Sequence, residues 1–279
     1  MPKPSVQPWL CRDNGPLPAV LPVGPPFGAS IDGAARPMNL LALDTSTDIL
    51  SIAVARGSQR WLHSGAGGAQ SSSQLLPAVR ALMAEAGLAF TELDAIVFGR
   101  GPGSFTGLRT ACAISQGLAF AASSQGQQVP VLPVDTLMAV AEDARLQHGC
   151  TQVLACLDAR MDEVYSAPYV FADAQWLLQT ELAVGPPQDV MAIDGFTVAG
   201  NAQAPYGERL LPALPHVHAM PTASALLNLA PALLAQGRAV AAQDALPLYI
   251  RDKVAKTTAE REALKANEQA EPEQATPRA

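Results

Sequence analysis

The stretch GRGPGSFTGLRT, from Gly99 to Thr110, has the residue types of an anion-binding loop: four glycines between an apolar run, LDAIVF, and a small-residue segment, ACAISQGLAFAA. A phosphate loop of the GxxxxGK[ST] type needs a lysine that reaches the phosphates. No lysine follows any glycine here, and Ser104 and Thr106 stand where a GxGxxG fingerprint requires its last glycine. Two readings remain. The loop is a backbone nest that holds an anion at a helix N-terminus. Alternatively, Gly101, Gly103 and Gly107 allow a sharp strand-to-helix turn that Ser104 or Thr106 caps. The second is the simpler, since Ser and Thr cap helices of every kind.

Two aspartates end apolar runs, Asp44 in LALDTST and Asp158 in LACLDAR, and VAGNA keeps only Gly200. Turns that grip a nucleotide use glycines so that backbone amides reach the phosphates; neither aspartate turn has one. Asp44 and Asp158 either hold Mg²⁺ through water or cap their own turns. His216 and His218 form HxH without a third ligand nearby, so a zinc site lacks support. HxxxH, HExxH and GxSxG are absent, which leaves metallohydrolase and serine hydrolase chemistry without a local signature.

The elements that must position these residues follow from patterning. The chain has 279 residues, 49% of them apolar, with a net charge of −7. That length suggests two domains, and the charge excludes a chain-wide basic footprint for nucleic acid. No apolar run reaches the ~20 residues that span a bilayer. Cys11, Cys112, Cys150 and Cys156 make no CxxC pair. With no signal peptide either, they read as free thiols in a reducing cytoplasm.

Residues 1–37 are a Pro/Gly-rich leader predicted to be disordered, or a misassigned start, since Met38 precedes the first strand. NLLALD, ILSIAVARG and RWLHSG read as strands. SSSQLLPAVRALMAEAG reads as a helix with Leu75, Leu76, Val79, Leu82 and Met83 on one face, the serines as caps, and Pro77 near its first turn. LDAIVFG is a strand, Ser104–Ala122 a helix, VPVLPVD a strand and TLMAVAEDARLQHG a helix. A second unit begins near Thr151: QVLACLDARMDEVYSAPYVF reads as strand, turn, strand, QWLLQTEL as a strand, FTVAGNA as a strand, and TASALLNLAPALLAQG as a helix bent or interrupted at Pro231. The order loosely repeats the first. The expectation is an α/β protein of two subdomains with mixed sheets, in the duplicated arrangement of actin-like ATPases and sugar kinases: residues 38–149, residues 150–254, and a polar tail, 255–279.

The helix after the glycine loop is thin, with alanines, Ser115 and Gly117 along it. Arg109, Ala113, Gln116 and Phe120 share a narrow stripe. A helix apolar nearly all round must be covered nearly all round. One cover is the sheet beneath; the other is a second domain or a second subunit.

In this order, LLALDTSTDILSIAV, SSQLLPAVRALM, GRGPGSFTGLRTACAISQGLAFA, LACLDARMDEVYSA and LPLYIRDKVA resemble the bacterial TsaB (YeaZ) family, over about Met38 to Ala255. The resemblance implies an actin-like fold without an active site of its own. It implies a scaffold for TsaD, with TsaE, an ATPase, joining the pair. Together these complete the transfer of threonylcarbamoyl to N6 of adenosine 37 in ANN-decoding tRNAs, so that tRNA is met through the complex. It implies a homodimer when the chain is alone, and no cofactor unless a nucleotide or Mg²⁺ sits at a complex interface. It places the pairing surface on the first two helices: Leu76, Val79 and Met83 on one, Arg109, Ala113, Gln116 and Phe120 on the other. Relatives often carry a histidine before LLP, where this chain has Gln74, and the leader is not a family feature. A competing expectation is an actin-like ATPase or small-molecule kinase using Asp44 and Asp158, and a third is the peptidase label attached to TsaD relatives.

Overall fold

A computed structural model describes residues 37–68, 71–123 and 128–251. The expectations for the leader before residue 37 and for the tail therefore lie outside the described residues. In the first half, β1 (Asn39–Asp44), β2 (Ile49–Arg56), β3 (Gln59–Ala66), β4 (Ala95–Gly101) and β5 (Val131–Asp135) form one sheet in the order β3-β2-β1-β4-β5. The β1–β2 and β2–β3 pairs are antiparallel, and β1–β4 and β4–β5 are parallel. Helices α1 (Ser71–Glu85) and α2 (Phe105–Ala122) make the crossovers, and α3 (Thr136–His148) leaves β5. Helices cover both faces of this sheet, so β1 reads as a continuous apolar run instead of an alternation.

The second half uses β6 (Gln152–Arg160), β7 (Glu163–Ala172), β8 (Gln175–Leu178), β9 (Ala183–Gly185), β10 (Thr197–Gly200), a four-residue α4 (Gln203–Tyr206), β11 (His216–His218) and α5 (Ala223–Ala235). Its sheet runs β8-β7-β6-β10-β11, with β9 on β7. Again the first three strands are antiparallel and the last two pairs parallel. Two sheets with one connectivity, built from sequences that do not repeat, are the duplicated actin-like fold.

The strands separate at residues 149–150, but the helices do not. Helix α5 packs on β1, β2 and β4 of the first sheet, and α3 packs on β6, β7 and β10 of the second. The two helices lie side by side between the sheets in one continuous core that includes Ala42, Val97, Leu137, Val140, Ala155 and Leu226. This sandwich explains why α3 is buried from Thr136 to Ala144. Its Glu142 is partnered there by a two-pronged bond from Arg145 and by the Trp176 indole N–H at 2.9 Å. A buried carboxylate needs such partners.

Three local expectations change. Ser71–Ser73 are helical, so Pro77 lies well inside α1 and not near its first turn. Helix α5 continues through Pro231 without interruption; proline removes one amide donor, and packing on the first sheet holds the helix together. The short β9 and α4 carry too little periodicity to be read from sequence.

Candidate functional site

The glycine loop lies backbone to backbone on the β1–β2 turn. A Cβ on Gly103 would lie 2.5 Å from the Ser46 carbonyl oxygen, and one on Gly107 would overlap the Thr45 carbonyl. The Ser104 N–H donates to Ser46 O at 2.7 Å, and the Thr45 hydroxyl donates to Gly107 O at 2.7 Å. Ser104 caps α2, its Oγ accepting from Gly107 N; Thr106 sits within the first helical turn. Gly101 meets the Leu248 carbonyl and donates its N–H to Thr136 Oγ1. Gly99 admits the Asp44 side chain, while Gly101, Gly103 and Gly107 admit neighbouring backbone. Gly200 does the same in the second half, since a Cβ there would overlap the Cys156 carbonyl.

A cleft of about 550 Å³ opens between the two strand turns, lined among others by Thr47, Asp48, Ser104, Asp158, Arg160 and Tyr249. The two aspartates behave differently. Asp44 is wholly buried. Its Oδ1 accepts from the Ser46 N–H and hydroxyl, while Oδ2 has no partner and lies against Gly99. Burial pushes its pKa up to about 6, against the lowering effect of the Ser46 bonds. Asp158 lines the cleft and is held on every side. It accepts from the Tyr206 hydroxyl at 2.7 Å and from Arg160 N at 2.8 Å, and pairs with the Arg160 guanidinium at 3.0 Å. The same guanidinium reaches Asp48 on the opposite turn at 2.6 Å. An arginine, not a glycine-rich cradle, therefore bridges the two turns.

His216 and His218 lie on β11, and the His216 ring contacts Leu211 O at 3.0 Å. Among the described residues, no cluster of three or more His, Cys, Asp or Glu is placed to hold a metal, and no helix is long and apolar enough to cross a membrane.

Helix α2 buries Leu108, Ala111, Cys112, Ser115, Ala119 and Ala122, the i, i+3/4 face that meets the sheet. The opposite face is open: Arg109, Ala113 and Gly117 are exposed, and Phe120 is 82% exposed. Gln116, half-buried, donates to the Ala245 carbonyl. Covering a phenylalanine contributes ~2 kcal/mol, so this face carries a stabilisation the isolated chain does not collect. Helix α1 runs beside α2, but its expected contribution needs correction. Val79 and Met83 are buried in the core with Leu75, because the apolar stripe of α1 faces its own sheet. Of the three α1 residues expected on the pairing surface, Leu76, 38% exposed, is the one open to another molecule.

The segment Ala245–Arg251 falls largely within LPLYIRDKVA, which carries the resemblance, but sequence patterning assigned it no place in the fold. It has no periodicity, yet it lies along α2: Tyr249 stacks on Phe105 at 5.1 Å, and the Arg109 guanidinium lies 3.8 Å above the Phe105 ring.

Comparison with known proteins gives this arrangement its relatives. Residues 52–195 match the family model described as TsaD: tRNA N6-adenosine threonylcarbamoyltransferase. The tRNA threonylcarbamoyladenosine biosynthesis protein TsaB of Escherichia coli (strain K12) is 34% identical over 78% of this chain and 96% of its own length. That of Haemophilus influenzae is also 34% identical, over 78% of this chain and 95% of its own length. The solved structure of YeaZ from Pseudomonas aeruginosa superposes with a TM-score of 0.70, at 40% identity, over 76% of this chain and 100% of that one. Identity at this level over nearly the whole length of each relative, on a shared fold, shows that the chain belongs to the TsaB (YeaZ) family.

Proposed function

We propose that the chain serves tRNA threonylcarbamoyladenosine biosynthesis as a non-catalytic subunit: it pairs with a TsaD transferase through the open face of α2 and supports threonylcarbamoyl transfer to N6 of adenosine 37. TsaE joins the pair, tRNA is met through the assembly, and two copies of the chain use the same face when alone. The relatives' names support the pathway, and the match to the TsaD model supports kinship with the catalytic subunit.

The observation that carries the pairing is the face itself. Ala113 and Gly117 let another backbone come close, while Phe120 supplies an anchor. The cleft supports the non-catalytic half of the reading. Its β1–β2 turn is occupied by the glycine loop, and Arg160 spans the space between the turns.

The test is to mix the purified chain with TsaD from the same organism and measure molar mass by light scattering after size exclusion. A heterodimer that forms with wild type and fails with Ala113→Glu supports the reading and locates the surface. No association, with nucleotide and TsaE added, refutes it.

A further inference from the structure

The segment Ala245–Arg251 crosses from one half of the fold to the other, and each end is held by named bonds. At the first end, the Ala245 carbonyl accepts from Cys112 Sγ at 3.0 Å and from Gln116 Nε2 at 2.9 Å, both on α2. Next, Leu248 N donates to Arg100 O at 2.7 Å, and the Tyr249 hydroxyl accepts from Arg109 Nε at 3.0 Å. At the far end, Arg251 Nη2 donates to Ala159 O at 3.0 Å and to Arg160 O at 3.3 Å, and pairs with Glu163. All three partners belong to the β6–β7 turn or its flanks.

That turn needs a holder. Arg160, Met161 and Asp162 have φ of 61°, 58° and 64°, with no glycine among them. Left-handed backbone is unfavourable for residues with a Cβ, and it persists only where the surroundings enforce it. The Arg251 side chain is 16% exposed and sits on the two carbonyls that enter the turn. Arg251 shares this work with the Asp48–Arg160 pair across the cleft and with Arg209, which holds Asp162 by two bonds at 2.7 Å. The members of those two pairs are 48–77% exposed, and exposed pairs contribute less than one that is largely buried.

We infer that Ala245–Arg251 is a latch that couples the exposed face of α2 to the β6–β7 turn on the far side of the cleft. Gln116 and Arg109, which hold the latch on α2, belong to the open stripe, so a change at that stripe is transmitted along the segment to the turn. Coupling of this kind is reciprocal: loosening the turn must loosen the α2 end by the same free energy. The latch needs no partner, so its failure would leave the pairing reading standing, and the reverse.

Hydrogen exchange followed by mass spectrometry on the full-length chain tests it. Arg251→Ala is expected to speed exchange about tenfold or more in the turn at 160–163 and also at 246–249, where the Leu248 amide is bonded. Gln116→Ala, which does not touch the turn, is expected to speed exchange at 160–163. Exchange in β1 and β4 should stay at wild-type rates in both. If each variant's effect stays at its own end, the latch is overturned. If Arg251→Ala loosens β1 and β4 as well, Arg251→Lys and Tyr249→Ala decide by the same two-ended criterion.

Discussion

Asp44→Asn should gain stability relative to wild type as pH rises. The carboxyl is wholly buried, and its pKa is raised from 3.8 to about 6. Between those values the unfolded chain has released a proton that the folded chain keeps. Stability contributed by the protonated acid is therefore full below about pH 4, falls as pH rises, and is lost above about pH 6. At about 1.4 kcal/mol per tenfold, the whole penalty is ~3 kcal/mol, and roughly half of it develops between about pH 5 and about pH 7.5. Asparagine carries no charge at any of these values. Its Oδ1 keeps both Ser46 bonds, and its amide nitrogen takes the place of the unpartnered Oδ2 beside Gly99. An unsatisfied amide there would cost ~1–3 kcal/mol, but that cost does not depend on pH and cancels in the comparison. The assay is urea denaturation of both proteins at the two pH values. The variant's stability relative to wild type should rise by ~1.4 kcal/mol from the lower to the higher. A difference that is equal at both refutes the reasoning: Asp44 would then keep its ordinary acidity despite its burial.

Other outcomes follow from the same geometry. Ala113→Leu should leave folding nearly intact, since the side chain points to solvent, while weakening pairing by ~1–3 kcal/mol; titration calorimetry against TsaD measures it, and unchanged affinity removes the stripe from the interface. Gly107→Ala should destabilise by ~3 kcal/mol or more in denaturation, because its Cβ would overlap the Thr45 carbonyl. Gly117→Ala meets nothing within 4 Å and should stabilise the isolated chain by up to ~1 kcal/mol through helix propensity. Burial pushes the Cys156 thiol up to about 12, so mass-mapped alkylation at neutral pH should modify the half-buried Cys150 well before Cys156. Calorimetry with Mg²⁺-ATP should show no saturable binding; micromolar binding abolished by Asp158→Ala would restore the enzymatic reading.

The sequence by itself determined the order of the longer elements, because hydrophobic period and punctuation are local properties: strand runs such as NLLALD, the turn glycines, a cap from Ser104 or Thr106 and the small-residue face of α2 each depend on near neighbours in the chain. It also located Asp44 and Asp158 at strand ends, but not their difference, since Oδ2 of Asp44 loses its solvent to Gly99, and Asp158 gains Tyr206 and Arg160 from distant elements. The α1 stripe shows the same limit. Spacing states which side chains share a face and is silent on what that face meets, so Val79 and Met83, which the resemblance put on a pairing surface, are core. Only the tertiary structure set α3 and α5 between the two sheets, placed Arg160 across the cleft, and laid Ala245–Arg251 along α2. These contacts join residues far apart in the chain, and the chain pattern carries no signal for pairings whose energy comes from carbonyls and guanidinium groups instead of from a periodic apolar face.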